Sequence, residues 1–167
     1  MAELSLEERL QPSLLDRLTD DEPDKKAESR ARRVLSLNRL KHSVLRDLAW
    51  LLNSGNLEMT EDLSACQEVK TSVLNYGVSN LAGKTISSTD VPALEREIRQ
   101  AILDFEPRIL SESLKVNLSV NRNKTSQKTM SFIIEGQLWA QPMPIGLFLS
   151  TDLDLETGSA TVNESNR

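Results

Sequence analysis

The apolar positions of the chain change period once. Up to about residue 105 they recur at three- and four-residue steps, and from residue 114 onward at every second residue. The first pattern predicts helices and the second strands. Leu37, Leu40, Val44, Leu48 and Leu51 mark an amphipathic helix from Ala31 to Asn53. The tract NSGN at 53–56 stops it, with Gly55 suited to the left-handed position past the last turn. A second, shorter helix is predicted from Ser64 to Asn75, with Val69, Val73 and Tyr76 on one side and Gly77 closing it. A third starts at SSTD, where Thr89 or Asp90 can cap and Pro92 occupies the first turn, in which its missing N–H costs nothing. Its stripe is Leu94, Ile98, Ala101, Ile102 and Phe105, and Pro107 ends it.

Beyond Leu110, Leu114, Val116, Leu118 and Val120 alternate with Lys115, Asn117 and Ser119, the pattern of a half-buried strand. NRNKTSQKT is a polar hairpin loop, MSFIIEGQLWA a second strand and GLFLSTDLDLETG a third. In the third, Leu147, Leu149, Leu153 and Leu155 share one face. SATVN supplies a short fourth. Helices first and strands last give an α+β fold, about three helices on one face of a small antiparallel sheet of three to four strands. Such a sheet has open edges, which are either blunted or used to accept a partner's strand.

Length and charge divide the chain. Its 167 residues suit one domain with a tail. No stretch approaches the roughly 20 apolar residues needed to cross a bilayer. The opening MAELSLEERLQPSLLDRL has no apolar h-region and is not read as a secretory signal. A single cysteine, Cys66, suits a reducing cytoplasm. Residues 1–28 hold nine acids and four bases, which accounts for the whole net charge of −5. They form an acidic tail in which Leu14, Leu15 and Leu18 make a small apolar knot within 12–18. That knot either docks on a partner or folds back on its own domain. Residues 29–163 form the domain and 164–167 a frayed tail. Arg30, Arg32, Arg33, Arg39, Lys41 and Arg46 form a basic block without an acid. The block is read as a solvated helix face, because a domain made for nucleic acid is usually basic throughout.

Little in the composition favours catalysis. One His and one Cys exclude a zinc site made from them. His42 reads as a surface or helix-packing residue and Cys66 as a small buried hydrophobe. The six glycines are scattered and form no phosphate-cradling loop. Glu58, Glu61, Asp62, Asp104, Glu106 and Glu135 could supply a glycosidase carboxylate pair, but any acidic protein of this length offers such pairs. No cofactor or metal is called for. The stretch that asks for an explanation is Glu106-Pro107-Arg108. An acid at a helix C-terminus opposes the macrodipole. A partner for Glu106 would remove the conflict: Arg108, a base of the first helix, or a cation on another chain.

SVLRDLAWLLNS at 43–54, SVLNYGVSN at 72–80, LEREIRQAILDFEPRI at 94–109 and LDLETG at 153–158 occur in an order and spacing that resemble the phage baseplate wedge family once labelled lysozyme-like. PSLLDRL at 12–18 narrows the resemblance to its type VI secretion branch, the TssE family. One departure is VSN at 78–80, where related chains often carry a Leu-Pro-Asp turn. The resemblance implies a cytoplasmic α+β structural subunit, without enzymatic activity, cofactor or membrane insertion. It would sit in the wedge with TssF and TssG, beside other baseplate components such as TssK. It would template the first sheath layer of TssB and TssC. Glu106, Pro107 and Arg108 would then dock within the wedge, Leu14, Leu15 and Leu18 would anchor on a neighbour, and Leu149 and Thr151 would lie in the strand offered to the sheath. Removing Glu106 or Arg108 would leave the isolated domain folded. The competing readings are a glycan hydrolase and a duplex binder using residues 29–46.

Overall fold

The computed structural model describes residues 14–19, 37–80, 82–83, 89–119, 129–139 and 144–165. Helices α1 (Leu14–Leu18), α2 (Leu37–Leu52), α3 (Gln67–Lys70) and α4 (Val91–Phe105) precede strands β1 (Lys115–Ser119), β2 (Thr129–Leu138), β3 (Ile145–Asp154) and β4 (Ala160–Glu164). The strands form one antiparallel meander in the order β1-β2-β3-β4. The fold is α+β with an open sheet, as the change of period predicts. Among the described residues the two long helices α2 and α4 supply most of the second layer, beside the short α1 and α3. The predicted start of α2 at 31–36, most of the acidic tail and the hairpin loop at 121–128 lie outside the described residues.

One core joins the two layers. Leu40, Val44, Leu48, Leu51 and Leu52 of α2 and Leu94, Ile98, Ala101 and Ile102 of α4 are buried against Val116, Met130, Phe132, Ile134, Leu147, Leu149 and Leu153 of the sheet. Helix α4 starts as its sequence directs: the Asp90 side chain accepts from the Ala93 N–H at 3.1 Å, and Pro92 sits in the first turn. Helix α2 ends differently from expectation. Gly55 is not left-handed; it pairs with Val78 in an isolated bridge. The stop comes from Asn53, whose Nδ2 donates to Ala49 O at 2.7 Å.

The segment 64–75 departs most from its predicted form. It holds only the single turn α3 and a 3-10 turn at Val73–Asn75. Ser72 breaks the run: its hydroxyl donates to Val69 O at 2.9 Å and accepts from Leu74 N at 3.3 Å, competing with the helical ladder. Val73 is therefore 82 % exposed and not on an inner face. Asn75 is buried and ties two loops together, accepting from Glu58 N at 2.9 Å and donating to Lys70 O at 3.0 Å. Gly77 then takes φ +130°, with a Cβ position only 2.4 Å from Ser54 O, so no other residue fits. Cys66 is free and exposed, contrary to expectation, because it precedes α3 at the surface. Glu164, expected in a frayed tail, is the last residue of β4, opposite Leu149.

Candidate functional site: the Glu-Pro-Arg hub and the sheet edges

Helix α4 ends on Glu106, whose N–H still bonds to Ile102 O at 2.9 Å. Pro107 then turns the chain beside the end of β2, where Trp139 N donates to Arg108 O at 2.7 Å and Leu110 N to Gln137 O at 2.8 Å. This turn folds Arg108 back over the helix end. Glu106 is 3 % exposed. Its Oε1 accepts from Arg108 N at 3.2 Å and Nε at 2.6 Å, and its Oε2 from Nη2 at 2.5 Å. The acid that opposes the macrodipole is thus answered within the chain, by a bidentate arginine two residues away. Neither residue is simply solvated.

The guanidinium reaches further. Arg108 Nη1 donates to Ser43 Oγ at 3.1 Å and Nη2 to Asp47 Oδ2 at 2.5 Å, both on α2. Asp47 accepts in turn from Arg46 Nε at 2.9 Å. Arg46 Nη1 pairs with Asp16 of α1 at 2.6 Å. Charges of alternating sign therefore run from the end of α4, across α2, to the N-terminal helix. Burial alone would lower the Arg108 guanidinium, but Glu106 and then Asp47 outweigh it and hold it above the ordinary arginine value. Asp16, ahead of Asp47, does the same for Arg46. Tyr76 closes one side, its ring 5.3 Å from that of Phe105 and edge-on to it. Burial, with Asp47 and Glu106 adding to it, raises the Tyr76 phenol above its ordinary value.

Helix α1 lies on the domain the opposite way round from its composition. Asp16 turns toward α2, while Leu14 and Leu18 are 71 % and 74 % exposed. Leu15 is exposed too, as is Trp50 beneath the Arg46 guanidinium. The knot does meet its own domain, but through its aspartate and not its leucines.

Side chains take part of each edge of the sheet. At β1, Glu95 Oε1 of α4 accepts from Leu118 N at 2.6 Å, and Arg99 Nε donates to Leu114 O, just before the strand, at 3.3 Å; the outward groups of Val116 have no bond among the described residues. At β4, Asp154 N bonds to Ser159 O and Ser165 N to Phe148 O. Odd-numbered residues thus face β3, and Ala160, Val162 and Glu164 direct their N–H and C=O outward. Asn53 takes both outward groups of Ala160, at 2.9 Å and 2.8 Å. Those of Val162 and Glu164 have no backbone or side-chain bond among the described residues. Leu149 and Thr151, singled out in the sequence, are buried on β3, which is paired on both sides. They reach no edge. The edge that sequence reasoning missed is marked by Asn53, two residues before Gly55.

The carboxylates considered for catalysis are spoken for separately. Glu58 pairs with Lys70 at 2.6 Å, Asp104 accepts from Gln100 at 2.9 Å, and Glu106 holds Arg108. Hydrogen bonds from the Ser64 N–H and then its hydroxyl hold Asp62 below the usual carboxylate range, the reverse of what a general acid needs. Glu61 is exposed and Glu135 lies on β2. In the basic block, Lys41 pairs with Glu164 at 3.0 Å and Arg46 with Asp16; Arg30, Arg32 and Arg33 lie outside the described residues. Among the described residues no cluster of His, Cys, Asp and Glu could hold a metal ion, and no helix is long and apolar enough to cross a membrane.

A family model described as baseplate wedge protein gp25 matches residues 38–143. The match takes in α2, the Glu-Pro-Arg hub and the first two strands; α1 and β4 lie outside it. No curated protein and no solved structure matches the chain.

Proposed function

The chain belongs to the baseplate wedge protein gp25 family, and from that premise we propose that it is the wedge subunit of a type VI secretion baseplate, the TssE role. It works by lending surface and backbone, not by transforming a substrate. The exposed leucine helix, upstream of the family match, favours the type VI branch. In this reading the chain stands at the cytoplasmic face of the machine. TssF and TssG, with TssK nearby, pack against the hub around Pro107 and Arg108 and against Leu14, Leu15 and Leu18. TssB and TssC of the first sheath layer receive a strand site.

The observation that carries the reading is the open β4 edge, where Val162 and Glu164 direct backbone groups outward that have no bond among the described residues. Main-chain hydrogen bonds at such an edge give affinity without a pocket. Val162→Pro is the decisive variant. The Val162 N–H points outward, so proline there removes no bond within the sheet and is tolerated as edge prolines are. The variant should fold and co-purify with TssF and TssG but fail to nucleate sheath. Normal sheath assembly by a folded Val162→Pro protein would refute strand acceptance at β4.

A further inference from the structure

Helices α2 and α4 part where α2 ends and α4 begins, and a cavity of about 320 Å³ opens there over the sheet. Its floor is apolar, formed by Leu94 and Ile98 of α4 and Phe132 and Ile134 of β2. Its mouth is polar, with Asn53 and Ser159 among the residues on the rim. One floor residue breaks the pattern. Thr151 lies between Leu149 and Leu153 on the inward face of β3 and is 3 % exposed, yet its Oγ1 has no hydrogen-bond partner among the described residues.

A buried hydroxyl without a partner is a cost the fold does not explain. Valine would fill the same space without it. A purely apolar occupant would leave the hydroxyl unmet, and water alone would leave the apolar floor unmet. An aromatic ring with a polar tip meets both, because such rings combine large apolar area with a group that seeks a partner when buried. The mouth also adjoins the first residues of β4, so a segment paired along that edge runs toward it.

We propose that this cavity receives one tyrosine-like side chain from a partner protein, its phenol hydroxyl bonded to Thr151 Oγ1 and its ring against Leu94, Ile98 and Phe132. The proposal rests on the wedge reading only in taking the bearer of the ring to be another protein.

The test needs no baseplate. The full chain is titrated with p-cresol, the tyrosine side chain alone, and with toluene, the same ring without the hydroxyl. Methyl NMR signals of Leu94, Ile98 and Leu153 report binding. Both probes should shift these signals, with p-cresol bound several-fold to about tenfold more tightly, as one buried hydrogen bond gives. Thr151→Val should abolish or reverse that preference and leave toluene binding in place. Ala160→Leu, which fills the mouth, should weaken both. Equal affinity for the two probes, or a preference that survives Thr151→Val, overturns the hydroxyl's role. No shift with either probe, as when the chain itself fills the space, overturns the site. Each failure leaves the wedge reading standing, since that is scored by Val162→Pro and co-purification.

Discussion

Arg108→Met should unfold the domain more easily while leaving its shape unchanged. Glu106 is 3 % exposed and accepts three hydrogen bonds from Arg108; only the one from the backbone N–H survives the change. Removing one partner of a buried ion pair costs about 3–5 kcal/mol, mostly by stranding the other charge. The low end applies, because the Arg108 side chain is 24 % exposed and water can enter as it leaves. A loss of about 3 kcal/mol lowers Tm by about 10 °C in a domain of this size. Glu106→Gln keeps the shape and leaves Arg108 with Asp47 and Ser43, so it should cost only about 1–1.5 kcal/mol. In the double variant no charge is stranded at Glu106, and its cost should fall short of the sum by about 1–2 kcal/mol. Urea unfolding followed by far-UV circular dichroism, at constant slope, measures all three. Additive costs, or an Arg108→Met loss below about 0.5 kcal/mol, would refute the buried pair. The same numbers revise the expectation that Glu106 and Arg108 could be removed without touching the fold. Docking must be compared at a temperature where the variants are folded.

Two further outcomes are independent of that pair. The single tyrosine allows a clean alkaline titration: Tyr76 absorbance at the tyrosinate band should rise above the ordinary phenol range, and titration at or below that range would deny its burial beside Asp47. Because the folded state favours the neutral phenol, this contribution to stability is complete below the unfolded value and is lost as pH rises through the folded one. Asn53→Ala removes two hydrogen bonds that join α2 to β4 and one that closes the end of α2, so it should cost about 2 kcal/mol. It should also speed amide exchange at Ala160, and unchanged exchange there would show that Asn53 does not hold the strand.

What the sequence made legible is what local rules decide. Asp90, Pro92 and the stripe from Leu94 to Ile102 specify α4 from start to finish, and alternation alone places four strands. The segment 64–75 was misread because Val69, Val73 and Tyr76 fit a helical face while Ser72 quietly supplies a competing hydrogen-bond partner. The hub was half legible. An acid set against the helix dipole signalled that Glu106 needed a cation, and Arg108 was among the candidates. Its burial was not legible, because that depends on Ser43 and Asp47 of a helix some sixty residues earlier. The edge was least legible of all: alternation gives strand faces, whereas edge status depends on which side chains of other elements reach the outer backbone.

Edge status also bears on how one chain limits pairing at both edges of its sheet. A sheet with two usable edges invites head-to-tail addition, β4 of one copy to β1 of the next, and such heterologous contacts propagate without closing. Glu95 and Arg99 limit the β1 end of that series by taking Leu118 N–H and Leu114 C=O. Asn53 shortens the β4 end by occupying Ala160, so the acceptor is the few residues around Val162. Lys41, paired with Glu164, marks its far limit. A short acceptor of this kind is too small to hold a strand by backbone bonds alone. In the proposed reading a strand seated there would therefore need side-chain contacts besides its backbone bonds. The ion-pair chain from Glu106 through Arg108, Asp47 and Arg46 to Asp16 ties the exposed leucines of α1 to the surface around Arg108, so the helical layer presents these two surfaces in one fixed arrangement.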